Sequence, residues 1–276
     1  MRKMADLMPS CRVQGIAALR DHVYVVFGSD VIRIFDSTSL RLLDQIVVSE
    51  NGAAMWAMNI AASTFSNCLY VSDSLNSCIW CVDADKMKGY QWMETRAKQY
   101  ADALCVTSQG KLVFFSDVPK LDVYGQDARL ALTIQLPSDV TQLRHVVETS
   151  SGNFVIAYGG GTSESPCRIS EVSITGQMIR SFDGFGMKDG IPLGLCQVAL
   201  GDGCVYMYVA DFSNHRLLVL DGKLTVSREL MVWSGTQSYC PLRILHLPGK
   251  NSLLVGLLDE VDGYSGCVHQ YSLSFA

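Results

Sequence analysis

Residues 205–221 read VYMYVADFSNHRLLVLD, and residues 69–83 read LYVSDSLNSCIWCVD. Each is a short strand, a tight polar turn and a second strand. In the first copy Val205, Met207 and Val209 alternate with Tyr206, Tyr208 and Ala210, so both faces of the strand are apolar and both need cover. Asp211 then breaks the pattern. Its carboxylate can accept hydrogen bonds from the N–H groups of the turn, and Asn214 tolerates a left-handed backbone. The second copy answers position for position: Asp73 for Asp211, Asn76 for Asn214, Asp83 for Asp221. A hairpin that is apolar on both faces cannot bury itself. It needs copies of itself.

The rest of the chain supplies them. Six segments of four predicted strands each follow one another at 11–48, 53–95, 100–136, 142–184, 191–232 and 239–276. The first gives GIAAL, HVYVVFG, VIRIFD and LRLLDQIVV. The fourth stretches its middle turn into GGGTSESP, and the sixth has no fourth strand. A period of about 45 residues with four strands per copy is a propeller period. The predicted fold is all-β: a six-bladed β-propeller of four-stranded antiparallel blades. Residues 1–10 are the candidate closing strand for the last blade, because an open ring leaves an unpaired edge.

Composition agrees. Hydrophobic residues make up 49% and charged residues 18%, which gives ample core for one large domain. No apolar run is long enough to span a bilayer as a helix. The ten cysteines sit mostly inside apolar runs, and no secretory signal precedes them, so they read as reduced, buried thiols of a cytoplasmic protein. The net charge of −5 is not the footprint of a nucleic-acid binder.

The stretch DGCVYMYVADFSNHRLLVLD resembles an NHL repeat, whose consensus is close to YVAD-x-x-N-x-R-I-x-V-F-D, and FDGFGMKDGIPLG before it resembles the Gly-rich entry to one. The second copy is similar but carries Cys78 where the family has Arg. The other blades share only the strand pattern. The resemblance implies a six-bladed platform that binds partner proteins or RNA, often behind a RING, B-boxes and a coiled coil. No zinc framework or heptad run of those modules occurs in this sequence. It also implies that Asp211, Asn214 and Arg216, and in part Asp73 and Asn76, are structural, tying the turn to its neighbours.

Several residues could carry chemistry, and each has a plainer reading. Cys78 and Cys81 form a C-x-x-C inside a predicted strand, where residues three apart point to opposite faces and cannot share a metal. His145 and His246 lie on inner strands, whereas a catalytic zinc wants three protein ligands; His22, His215 and His269 lie elsewhere. Asn59 and Asp102 near the channel are too few oxygens for calcium. Gly159, Gly160 and Gly161 lack the Lys of a phosphate loop. No G-x-S-x-G elbow is present. The expectation is a noncatalytic chain with no cofactor or metal and no membrane association.

The binding face is expected where second-to-third strand turns and blade-to-blade connections emerge together. Acids outnumber bases there, with candidate contacts at Lys98, Lys120, Lys188 and His215. An RNA reader needs surplus Lys and Arg plus exposed aromatics. A protein partner is therefore expected first, RNA second, and a metal-dependent hydrolase or lyase third. The partner's identity and the oligomeric state have no signature in the sequence.

Overall fold

The computed structural model describes residues 2–3, 12–49, 54–95, 104–115, 119–159, 167–184, 196–200, 206–233, 239–247, 249–259 and 266–273. Strand β1 is Arg2–Lys3. Blade one is β2 (Gly15–Leu19), β3 (His22–Val26), β4 (Val31–Asp36) and β5 (Leu42–Val47). Blade two is β6 (Ala57–Ser63), β7 (Cys68–Asp73), β8 (Cys78–Asp83) and β9 (Lys88–Glu94). Blade three is β10 (Leu104–Val106), β11 (Leu112–Phe115), β12 (Lys120–Tyr124) and β13 (Leu130–Gln135). Blade four is β14 (Leu143–Glu148), β15 (Phe154–Tyr158), β16 (Arg168–Val172) and β17 (Met178–Phe182). Blade five is β18 (Cys196–Leu200), β19 (Tyr206–Asp211), β20 (Arg216–Asp221) and β21 (Val226–Val232). Blade six is β22 (Tyr239–Leu247), β23 (Ser252–Asp259) and β24 (Gly266–Ser272).

Each blade is an antiparallel meander of four strands, and β1 supplies the fourth strand of blade six. It pairs Arg2 with Gln270 and Lys3 with His269. The inner strands touch in sequence, β2 to β6, β10, β14, β18 and β22, and β22 closes back on β2. The chain is thus a ring of blades joined by its first and last strands.

The double apolar pattern has its expected consequence. Met207 and Val209 pack against blade four, and Tyr208 and Ala210 pack against blade six. The buried residues form six clusters, each filling one blade-to-blade interface. Cys78 packs toward blade one and Cys81 toward blade three, on opposite faces of β8. The described cysteines 68, 78, 81, 105, 167, 240 and 267 are buried free thiols.

One local expectation is corrected. The left-handed residue of the motif turn is not the Asn but the residue after it: His215 has φ 53° and Ser77 has φ 52°. The Asn is needed for its side chain instead, which turns back onto the Asp.

The third-to-fourth strand turns use aspartate in another way. Asp36 accepts hydrogen bonds from Ser39 N–H (2.6 Å) and Ser39 Oγ (2.7 Å). Asp83 accepts Lys86 Nζ (2.7 Å) and Lys86 N–H (2.9 Å), and Asp221 accepts Thr225 Oγ1 (2.6 Å) and Thr225 N–H (2.9 Å). These donors hold all three carboxyls below the usual carboxylate range. Groups whose pKa is depressed by folding stabilise above their unfolded pKa, and that stability is lost as pH falls through the folded value. Thermal melts should therefore be level above about pH 5 and drop below about pH 4. The triple variant D36N/D83N/D221N should melt below the native protein at pH 7, and the gap should narrow at pH 3.

Candidate functional site

Blade two shows what the motif aspartate does. Asp73 ends β7 and is only 1% exposed. Its Oδ1 accepts the backbone N–H groups of Trp56 (3.1 Å), Leu75 (3.0 Å) and Asn76 (3.3 Å). Its Oδ2 accepts Asn76 Nδ2 (2.7 Å) and the Trp80 indole N–H (3.3 Å). Asn76 Nδ2 also donates to the Ala54 carbonyl (2.8 Å). One carboxylate thereby fixes a second-to-third strand turn to the connection arriving from blade one. Trp80 supplies a donor where Cys78 has replaced the motif Arg.

In blade five the same position is filled differently. Asn214 Nδ2 donates to both oxygens of Asp211, at 2.9 and 2.8 Å, and Arg216 Nε donates to Oδ2 at 2.8 Å. Arg216 also reaches Glu229 at 3.1 Å on β21. Burial raises the Asp211 pKa, and the bonds from Arg216 and Asn214 offset part of that rise.

On blade two this architecture leaves two large apolar side chains in solvent. Trp56 is 50% exposed and Leu75 is 60% exposed. Both have their N–H groups on the same Asp73 oxygen, and Ser74 N–H donates to the Trp56 carbonyl at 3.1 Å. The Trp56 indole lies over Gly28 of blade one, where a Cβ would come within 3.2 Å of the ring. The sequence reading passed over this pair. Trp56 falls within the predicted inner strand MWAMNIAAS, whereas the observed strand begins one residue later, at Ala57, and leaves Trp56 in the connection.

Of the residues expected to contact a partner, Lys98 and Lys188 lie outside the described residues, as do Asp102, Gly160 and Gly161. Lys120 opens β12 with its ammonium 2.8 Å from the largely buried Asp122. His215 joins blades five and six: its Nδ1 lies 3.4 Å from Cys240 Sγ, and its carbonyl accepts Trp233 N–H at 2.8 Å. The structure does not bring Lys120 and His215 together with Trp56. It places them in ties within and between blades.

The inner strands hold a second feature. Three of them carry a bulge near their start, between Ala57 and Asn59, between Leu143 and His145, and between Pro241 and Arg243. A bulge re-aims the side chain that follows it. Here the residues after the bulge are the polar ones: Asn59, His145 and Arg243. Arg243 is 6% exposed and ties blade six to blades one and two, donating from Nε to the Gln14 carbonyl and from Nη2 to the Met58 carbonyl (3.4 Å). Below it the channel is a cavity of about 410 Å³, lined by β2, β6, β10, β14 and β22. Burial, with the Arg243 charge adding to it, lowers the His145 pKa to about 3. Its imidazole is neutral at physiological pH. His246 instead stacks on Tyr208 of blade five, with ring centroids 5.6 Å apart. Among the described residues no group of three or more His, Cys, Asp or Glu could hold a metal ion.

No family model matches the sequence, and no curated protein matches it. Solved structures do resemble the fold. A hydrazine synthase of Kuenenia stuttgartiensis aligns over 98% of this chain and 97% of its own, with TM-score 0.66 and 11% identity. A streptogramin B lyase aligns over 100% of this chain and 87% of its own, with TM-score 0.65 and 12% identity. A protein of unknown function from Bacteroides caccae aligns over 85% and 81%, with TM-score 0.62 and 15% identity. Likeness at this identity shows architecture alone. The chain is a six-bladed β-propeller, and among the described residues no helix is long and apolar enough to cross a membrane.

Proposed function

We propose that this propeller is a noncatalytic NHL-type platform of the cytoplasm that binds a peptide segment of a partner protein. The peptide docks on the face where the second-to-third strand turns meet the blade-to-blade connections. The observation that carries the reading is the Trp56–Leu75 pair, exposed yet held rigidly by Asp73. An exposed aromatic and an exposed aliphatic side chain on backbone tied to one carboxylate oxygen are the kind of anchor that dominates interface energies. Its order is set before binding, so little entropy is lost on docking.

Charge favours peptide over RNA. Of the cations on this face, Lys120, Arg168 and Arg216 already sit against Asp122, Asp139, Asp211 and Glu229. A phosphate backbone needs cations that can release counterions to it.

Selection from a random peptide library, followed by titration of the enriched peptides, tests this reading. Peptides with an apolar anchor should be enriched, and W56A/L75S should weaken them at least about thirtyfold with no loss of melting temperature. Peptides that bind the variant as well as the native protein would refute the site. Selective, steeply salt-dependent binding of a random RNA pool would replace the partner class.

A further inference from the structure

The central cavity has a shape and a charge pattern that the peptide-binding reading does not use. Two neighbouring inner strands carry the same tripeptide along it: Ile16-Ala17-Ala18 on β2 and Ile60-Ala61-Ala62 on β6. Paired alanines leave room where larger side chains would fill a channel, and the result is about 410 Å³ of space. Arg243 bridges the carbonyls of Gln14 and Met58 beyond its inner end. The cavity runs along the inner strands from Asn59 and His145. It extends to the first-to-second strand turns at Ser108, on the opposite side of the ring. Its volume is in the range of small-molecule sites.

The polar side chains of the described lining are Asn59, Ser108, His145, Glu148 and His246. Asn59 and the neutral His145 are at the inner end. At the mouth, Glu148 is the only acidic residue among the described lining residues, and none of those is Lys or Arg. Glu148 is held in place: its Oε2 accepts the Ser108 N–H at 2.5 Å. Its Oε1 has no hydrogen-bond partner among the described residues, so it can receive a donor from a ligand. One fixed, half-buried carboxylate selects for positive charge, since the charge-assisted bond is stronger where water is partly excluded, and the two Ile-Ala-Ala segments offer an apolar body a surface to lie on.

We propose that the cavity is a binding site for a compact primary amine with an apolar body of roughly ten heavy atoms. The ammonium group donates to Glu148 at the mouth, the body lies along the two Ile-Ala-Ala segments, and Asn59 and His145 close the inner end. The site is independent of the peptide face, and the two stand or fall separately.

The test titrates the full chain with 2-phenylethylamine and with 3-phenylpropionate, which has a similar body and the opposite charge. The amine is expected to saturate the protein, with the carboxylate at least about tenfold weaker. E148Q should weaken the amine about tenfold, and A62F or A18F should abolish binding by filling the cavity, while W56A changes nothing. In methyl-labelled native protein, the Ala17, Ala18, Ala61 and Ala62 signals should shift during the titration. This readout holds even if neither filled variant folds. Equal binding of both probes, full affinity in E148Q, or shifts confined to alanines outside the channel such as Ala128 would each overturn the assignment, as would no binding at all.

Discussion

Asp73→Ala is expected to cost about 4 kcal/mol of folding stability and to lower the melting temperature by roughly 10 °C. The size follows from the number of donors that lose their acceptor. Three backbone N–H groups, one side-chain amide and one indole N–H converge on a carboxylate that is 1% exposed. Alanine leaves them facing a gap, and buried donors without acceptors cost more than the bonds were worth in net terms. Asp73→Asn separates the two oxygens. An amide oxygen at the Oδ1 position keeps the three backbone donors, while the new NH2 group meets Asn76 Nδ2 and the Trp80 indole donor to donor. About half the loss should remain. Asp211→Ala should cost less than Asp73→Ala, because Arg216 is partly exposed and retains Glu229. Thermal and denaturant unfolding of the three variants give the order. A loss below about 1 kcal/mol for D73A would mean that water reaches the turn and replaces the carboxylate.

That comparison also shows how far the sequence could be read. The repeat made the ring legible, because a strand apolar on both faces demands a neighbour on each side, and six such units close on themselves. The role of Asp73 and Asp211 was legible because most of it is local: apart from the Trp56 N–H, the donors described lie within seven residues of the acceptor. What was not legible depends on register or on distant chain. Trp80 replaces the motif Arg as a donor to Asp73, and nothing in CIWCVD says that its indole turns back toward the start of the strand. The bulges before Asn59, His145 and Arg243 add one residue to a strand without altering its composition. The exposed pair Trp56–Leu75 joins residues on either side of two strands. A cation beside a turn is also readily satisfied by a carboxylate on its own strand, as Lys120 is by Asp122, and that pairing across one residue has no separate mark in the sequence.

The outer rim is where a single methyl group should do comparable damage. Gly176 closes the turn between β16 and β17 with φ +83°, and its N–H donates to the Ser173 carbonyl at 2.9 Å. A Cβ there would collide with the carbonyl oxygen of Gln135, the last residue of β13 in the neighbouring blade. That oxygen belongs to backbone already committed to a sheet, so it cannot move aside as a side chain would. Gly152, in the turn between β14 and β15, has nearly the same backbone, φ +78°, but nothing lies within 4 Å of its would-be Cβ. The pair separates two costs that usually come together. G152A should lose about 1 kcal/mol, the penalty of a left-handed alanine. G176A should lose that plus the clash, at least about 3 kcal/mol in total. Unfolding in urea measures both with one protocol. If the two losses come out equal, blades three and four slide apart at no cost, and the rim is not the close-packed joint that the approach of Gly176 to the Gln135 carbonyl requires.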